Sequence, residues 1–249
     1  DGDRAMEACI AAIASQPSDA TLPFRAHMFT RVIRGLWACT NPKCDQVPNQ
    51  WRHDNRRIGR IFTIPATTCS CGGRVLELLY CFDCGDLSFG GFASPLPGND
   101  TCYDEALLSS TAPLSAKDAD LPVFRQRFGR FHWFRPGTVS REGLRSWSHQ
   151  TPKVGDEDQE KVELRFLQPS SYNPKLGLLQ IGAPPDGEDL FEVVAFQPSK
   201  PGLAVPAIPE HCPRCQLYRQ SNRDTEKFFR GIVRSQIRGH TSGIERTVQ

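Results

Sequence analysis

Eight of the ten cysteines in this chain fall into four close pairs: Cys39–Cys44, Cys69–Cys71, Cys81–Cys84 and Cys212–Cys215. No other feature constrains the fold as much. Paired thiolates are the ligands of tetrahedral zinc, and four pairs supply two four-cysteine sites. A closed shell of four thiolates leaves no open coordination position, so both zinc ions are expected to be structural. Five disulfides are the competing use of ten cysteines. Spacing of the CxC and CxxC kind, and an N-terminus without the regions of a signal peptide, favour metal. A reducing, cytoplasmic compartment follows from that choice.

Spacing also divides the thiols. The segment from Cys71 to Cys81 reads as one strand, and nine extended residues span roughly 30 Å. Two ligands of one ion must lie far closer than that. Cys39, Cys44, Cys69 and Cys71 are therefore expected to form one site, and Cys81, Cys84, Cys212 and Cys215 the other. His53 and His211 are alternative ligands, although a histidine beside such a pair more often supports the site than binds the ion. Gly72 and Gly85, directly after Cys71 and Cys84, suit knuckles in which a positive φ turns backbone N–H groups toward sulfur.

At 249 residues the chain can bury a core without staples. Its formal net charge of +2 carries no global polyanion signature, so any basic surface must be local. No apolar run approaches the ~20 residues of a membrane span, and no membrane partner is expected. The chain opens DGDRAMEA and closes GIERTVQ, and sequence is expected to continue on both sides.

Apolar spacing predicts helices over 2–15 and 23–37, with Cys9 as a small buried hydrophobe of the first. A further helix is predicted from Ser221, where Ser221 and Asp224 form a capping box. RIFTIPA, RVLELLY, residues 122–138, VELRFLQPSS, LGLLQIGAP and LFEVVAFQPS read as strands. Residues 86–121, rich in Gly, Pro, Ser and Asp, read as loop or linker. The expected fold class is α+β: a β-rich, zinc-ribbon-like domain with two four-cysteine zinc sites and helices flanking it at both ends. The expected organisation is a helical segment over 1–38, a knuckle region over 39–85, a β-rich excursion over 86–205, and the last knuckle with a basic helix over 206–249.

Basic and aromatic residues gather in three places. Arg125, Arg127 and Arg130 lie just ahead of Trp133 in a stretch interleaved with phenylalanines. Cations follow a phosphate backbone and aromatic faces stack bases, so single-stranded or unwound DNA is the expected partner. The same alternation is ordinary in a half-buried strand with solvated arginines, and both readings stay open. Lys227, Arg230, Arg234 and Arg238 would form a basic stripe on the last helix, which is either a second nucleic-acid contact or a solvated face. Arg52, Arg56, Arg57 and Arg60 lie between the first two cysteine pairs. Catalytic motifs are missing: there is no phosphate-binding P-loop, DEAD or DEAH sequence, H-E-x-x-H, zinc-deaminase pattern or G-x-S-x-G elbow. Cys102 has no paired base and reads as incidental.

Two stretches carry a family likeness. PFRAHMFTRVIRGLWACTNPKC with RRIGRIF and CSCGGRVLELLYCFDCG, and VPAIPEHCPRC with SQIRGHTSGIERTVQ, resemble a cysteine-rich insert of very large bacterial DEAD/DEAH-box helicases of superfamily 2. Such helicases occur in phage-defence and DNA-modification clusters, for example of Druantia type. The resemblance covers roughly 23–92 and 205–249. It implies a zinc-binding region between two RecA-like motor lobes of one parent chain, which would hydrolyse ATP and bind DNA. Within a defence complex, other subunits would be further partners. The alternative is an interaction scaffold that docks a partner subunit and never touches DNA.

Overall fold

The structure, a computed structural model, describes residues 36–81, 84–112, 127–137, 146–150, 161–203, 205–209, 212–215 and 232–234. The chain divides into two compact units, Asp1–Val32 and Ile33–Gln249. All described residues belong to the second. The helix predicted over 2–15 and the Ser221 capping box lie outside the described residues.

Eleven strands are described: β1 (Trp37–Cys39), β2 (Ile61–Phe62), β3 (Val75–Cys81), β4 (Leu87–Ser94), β5 (Glu105–Ser109), β6 (Phe131–Pro136), β7 (Ser146–Gln150), β8 (Lys161–Asn173), β9 (Leu178–Gln180), β10 (Phe191–Pro198) and β11 (Ile232–Arg234). The sheet runs β2-β1-β3-β4-β5-β9-β8-β10-β6, and β6 pairs back onto β4. That last pairing, with Phe89 opposite Phe134 and Phe92 opposite Phe131, closes six strands into a barrel. Closure removes the open edges that such a sheet would otherwise present.

The barrel interior is filled by side chains from all six of its strands. Phe89 and Ala93 come from β4, Ala106 and Leu108 from β5, and Phe134 from β6. Tyr172, Leu179, Val193 and Ala195 complete it from β8, β9 and β10. The ring centroids of Phe134 and Tyr172 are 4.5 Å apart, and those of Phe89 and Phe134 are 5.4 Å apart. The alternate residues of the same strands point outward, yet Phe92, Phe131, Trp133, Val194 and Phe196 are buried too. Val205, Ala207 and Ile208 cover them. Strands covered on both faces need apolar residues at successive positions, which explains FHWF and VVAF.

The α+β expectation is overturned. Among the described residues there is no α-helix, only a three-residue 3₁₀ turn at Asn49–Trp51. Trp37, placed at the end of a predicted helix, begins β1 instead. Ile232, within the predicted C-terminal helix, pairs with Cys81 at the free edge of β3. An unpaired strand edge beside two β-branched residues outweighs intrinsic helical preference. The loop expected over 86–121 is also corrected, because it contains β4 and β5. Glycines there signalled a loop, but they serve packing. A Cβ at Gly90 would lie 2.5 Å from the ring of Phe131, and one at Gly91 would crowd Leu108 and Leu76. Glycine inside a strand marks such close approach.

A histidine is sealed in this core. His132 is 1% exposed, and its Nε2 donates to the Cys102 carbonyl at 2.7 Å. Burial lowers its pKa to about 4, against a smaller opposing effect of that carbonyl. The folded state therefore holds a neutral imidazole, whereas the unfolded chain protonates near the ordinary value of about 6.5. Stability is fully present above that pH and falls as pH drops toward 4, by about 3 kcal/mol in all. The chain with His132→Gln is expected to lack this slope. Denaturation of both proteins at each pH is the check, since acid effects on the thiolates are common to both and cancel in the difference.

Candidate metal centres and basic cleft

The structure brings together two cysteine sets: Cys39, Cys44, Cys69 and Cys71, and Cys81, Cys84, Cys212 and Cys215. In the first, the Sγ atoms of Cys39 and Cys71 are 3.5 Å apart, and those of Cys44 and Cys69 are 3.7 Å apart. In the second, Cys81 to Cys215 is 3.7 Å and Cys84 to Cys212 is 3.6 Å. A disulfide would require about 2.05 Å. Thiolates about 2.3 Å from a tetrahedral ion would sit about 3.8 Å from each other. The spacing fits a metal ion, and the described cysteines form no disulfide.

Local backbone makes each set. Gly72 and Gly85 have φ of +83° and +68°, as knuckles require. Their N–H groups bond the carbonyls of Cys69 and Cys81, each at 2.8 Å. Other backbone N–H groups point at sulfur: Asn41 toward Cys39, Gln46 and Arg60 toward Cys44, Cys71 toward Cys69, Asp86 toward Cys84, and Arg214 toward Cys212. Such donors favour a thiolate. Burial raises Cys44 and Cys84, but these hydrogen bonds outweigh it and bring both thiols below their ordinary range. Burial dominates at Cys39, Cys69 and Cys212 and pushes them up. A cation among the sulfurs is what reverses that penalty. Gly73 has a separate role: a Cβ there would lie 2.7 Å from Cys39 Sγ, so the first set has no room for a side chain at this position.

The second set reaches across the chain. Cys81 ends β3 and Cys84 follows it, while Cys212 and Cys215 follow the segment that covers Trp133 and Phe196. A metal held here would anchor that cover. Beside it lies Asp86, 4% exposed. Arg135 reaches it from β6 with Nε to Oδ2 at 2.6 Å and Nη2 to Oδ1 at 3.2 Å. Arg57 donates to Oδ1 at 2.9 Å. Burial alone would raise the carboxyl, but these two guanidiniums outweigh it and hold its pKa below the usual carboxylate range. Sequence reading passed over this group. Its only signal was a single acid directly after CFDCG.

The basic candidates separate. Arg127 and Arg130 are exposed at the turn leading into β6. Trp133 is 2% exposed, in contact with Phe196, and offers no face to a base. Arg234 is placed in β11 by its backbone. Arg125, Lys227, Arg230, Arg238 and His211 lie outside the described residues. His53 belongs to neither cysteine set. It lines a cleft of about 510 Å³ with Lys43, Arg56, Arg57, Phe134 and Phe191 among others.

The YjiV N-terminal domain family matches residues 61–236. The chain is also similar to the Druantia protein DruE of Escherichia coli (strain UMEA 4076-1), with 37% identity over 99 residues. That alignment covers 37% of this chain and 5% of the relative, so the chain spans a small fraction of the length of the curated protein it matches. No solved structure matches the chain.

Proposed function

Because this chain belongs to the YjiV N-terminal domain family, and given its similarity to a Druantia protein, we propose that it is a zinc-stapled accessory region of a large phage-defence protein. Both ions are structural zinc: an all-thiolate set of four suits this borderline-soft ion and leaves no position for substrate. Cys39, Cys44, Cys69 and Cys71 hold the loop over 45–68, and the other four hold the cover of the barrel. In the parent chain the region stands beside the RecA-like lobes of an ATP-dependent DNA helicase or translocase and shapes the DNA path. The observation that carries this reading is the pair of closed four-cysteine sets flanked by exposed arginines, in a chain similar to a defence protein. Among the described residues no helix is long and apolar enough to cross a membrane.

The test is binding of a labelled single-stranded oligonucleotide by this chain across a salt series. Affinity is expected to fall with salt by roughly 0.7 log units per log unit of salt for each phosphate neutralised. A flat, absent signal would favour the scaffold reading. That second reading draws on Ile61 and Ile64, which are 52% and 70% exposed.

A further inference from the structure

The loop of the first cysteine set concentrates charge that the rest of the chain cancels. Between residues 43 and 60 lie five cations, Lys43, Arg52, Arg56, Arg57 and Arg60, against Asp45 and Asp54. Their net +3 exceeds the +2 of the whole chain. All of these residues precede the segment matched by the family, and Arg60 adjoins its start.

The loop is held in place rather than loosely displayed. Arg52 Nε donates to the Val47 carbonyl at 2.7 Å, and its Nη2 donates to the Asp45 carbonyl. Arg56 Nη2 donates to the carbonyl of the ligand Cys44 at 3.2 Å. Arg57 is tied to Asp86. The metal set thereby positions the guanidiniums. Lys43 and Arg60 are exposed, with Lys43 Nζ over the ring of Phe191 and Arg60 over that of Phe62. Trp51 closes the 3₁₀ turn and is 64% exposed. It stands two residues from His53 on the cleft, hence within about 8 Å of it at Cα. An indole so exposed contributes little to the core.

We propose that this loop and its cleft are a docking surface for single-stranded DNA, with Trp51 as a base-stacking platform and Lys43 and Arg60 as phosphate contacts. The proposal rests on the DNA reading above and changes its location: Trp133, the aromatic residue that sequence favoured, is buried, and Trp51 takes its place. Cations spaced along a loop with one flat aromatic face are the elements of sequence-tolerant single-strand binding. Asp54 and Glu192, also on the cleft, leave its interior close to neutral, so the phosphate contacts fall to the exposed cations on the rim.

The experiment is titration of the chain with a labelled oligonucleotide at several salt concentrations, for Trp51→Ala, for Lys43→Ala/Arg60→Ala, and for Arg127→Ala/Arg130→Ala. Trp51→Ala is expected to weaken binding roughly five- to hundred-fold with the salt slope unchanged. Lys43→Ala/Arg60→Ala is expected to lower the slope by roughly 0.7 for each phosphate no longer neutralised. Metal content equal to that of the unaltered chain shows that the variants are folded. Binding that survives in the first two variants and is lost in the third overturns this inference and leaves the DNA reading standing. DNA binding unchanged in every variant also overturns it. If the unaltered chain shows no salt-dependent binding, both readings fall.

Discussion

Replacing Cys212 and Cys215 together by serine is expected to remove one metal ion per chain, leave the other, and abolish most of the cooperative stability. The binding free energy of a structural zinc ion, about 10–16 kcal/mol in small zinc domains, is folding free energy, because the site does not exist in the unfolded chain. A domain of this kind is stable by only about 5–15 kcal/mol. Loss of the second site also frees the cover. Val205, Ala207 and Ile208 lie over Phe131, Trp133 and Phe196, and the next anchor along the chain is Cys212. The Trp133 indole should then meet water, with a red shift in emission that Trp133→Phe removes. Metal per chain by elemental analysis separates the outcomes. A fall from two ions to one, with Cys39 and Cys44 still protected from alkylation, supports two independent sites. Loss of both ions would show that the barrel and the first site form one cooperative unit. Retention of both would remove Cys212 and Cys215 from the ligand set.

How the cysteines divide was legible in the sequence because it rests on two lengths that cannot be reconciled: an extended β3 and a coordination sphere a few ångströms wide. The knuckle glycines were legible for a similar reason, since a positive φ at Gly72 and Gly85 follows from local backbone requirements. Barrel closure was not. It depends on β4 meeting β6, strands some forty residues apart, and no local pattern records such a pairing. The glycine pair at 90 and 91 misled directly. Local preference reads it as a turn, while Phe131 and Leu108 require it as an absence of side chain. The basic stretch around Trp133 failed for the same kind of reason. Alternation shows that one face of a strand differs from the other, but not that residues 205–208 come back to cover the second face. At the C-terminal end, Ile232 and Val233 fitted a helical stripe and a strand equally well, and pairing with β3 decided between them.

Asp86→Ala is expected to destabilise the chain by about 3–5 kcal/mol, the range found when one partner of a buried ion pair is removed. Asp86 is almost fully buried, and Arg135 is 13% exposed on its side chain. The bidentate geometry from Nε and Nη2 is the strong form of this contact. Without the carboxylate, the Arg135 guanidinium keeps its desolvation penalty and loses the bidentate contact with Asp86. Arg57 loses its ion pair as well, but at 34% side-chain exposure it can turn to water, so its share should be small. The three residues tie three parts of the fold to one another: Arg57 from the loop of the first cysteine set, Asp86 from beside the second set, and Arg135 from the barrel strand β6. The contrast that tests this account is Asp86→Leu/Arg135→Met. If the penalty is an uncompensated charge, replacing both partners with apolar groups of similar volume should recover most of the loss. If the penalty is lost backbone order at the Cys84 knuckle, the double variant should be no better than Asp86→Ala, and metal content should fall in both. Chemical denaturation together with elemental analysis distinguishes the two, because the electrostatic account predicts full metal content in every variant.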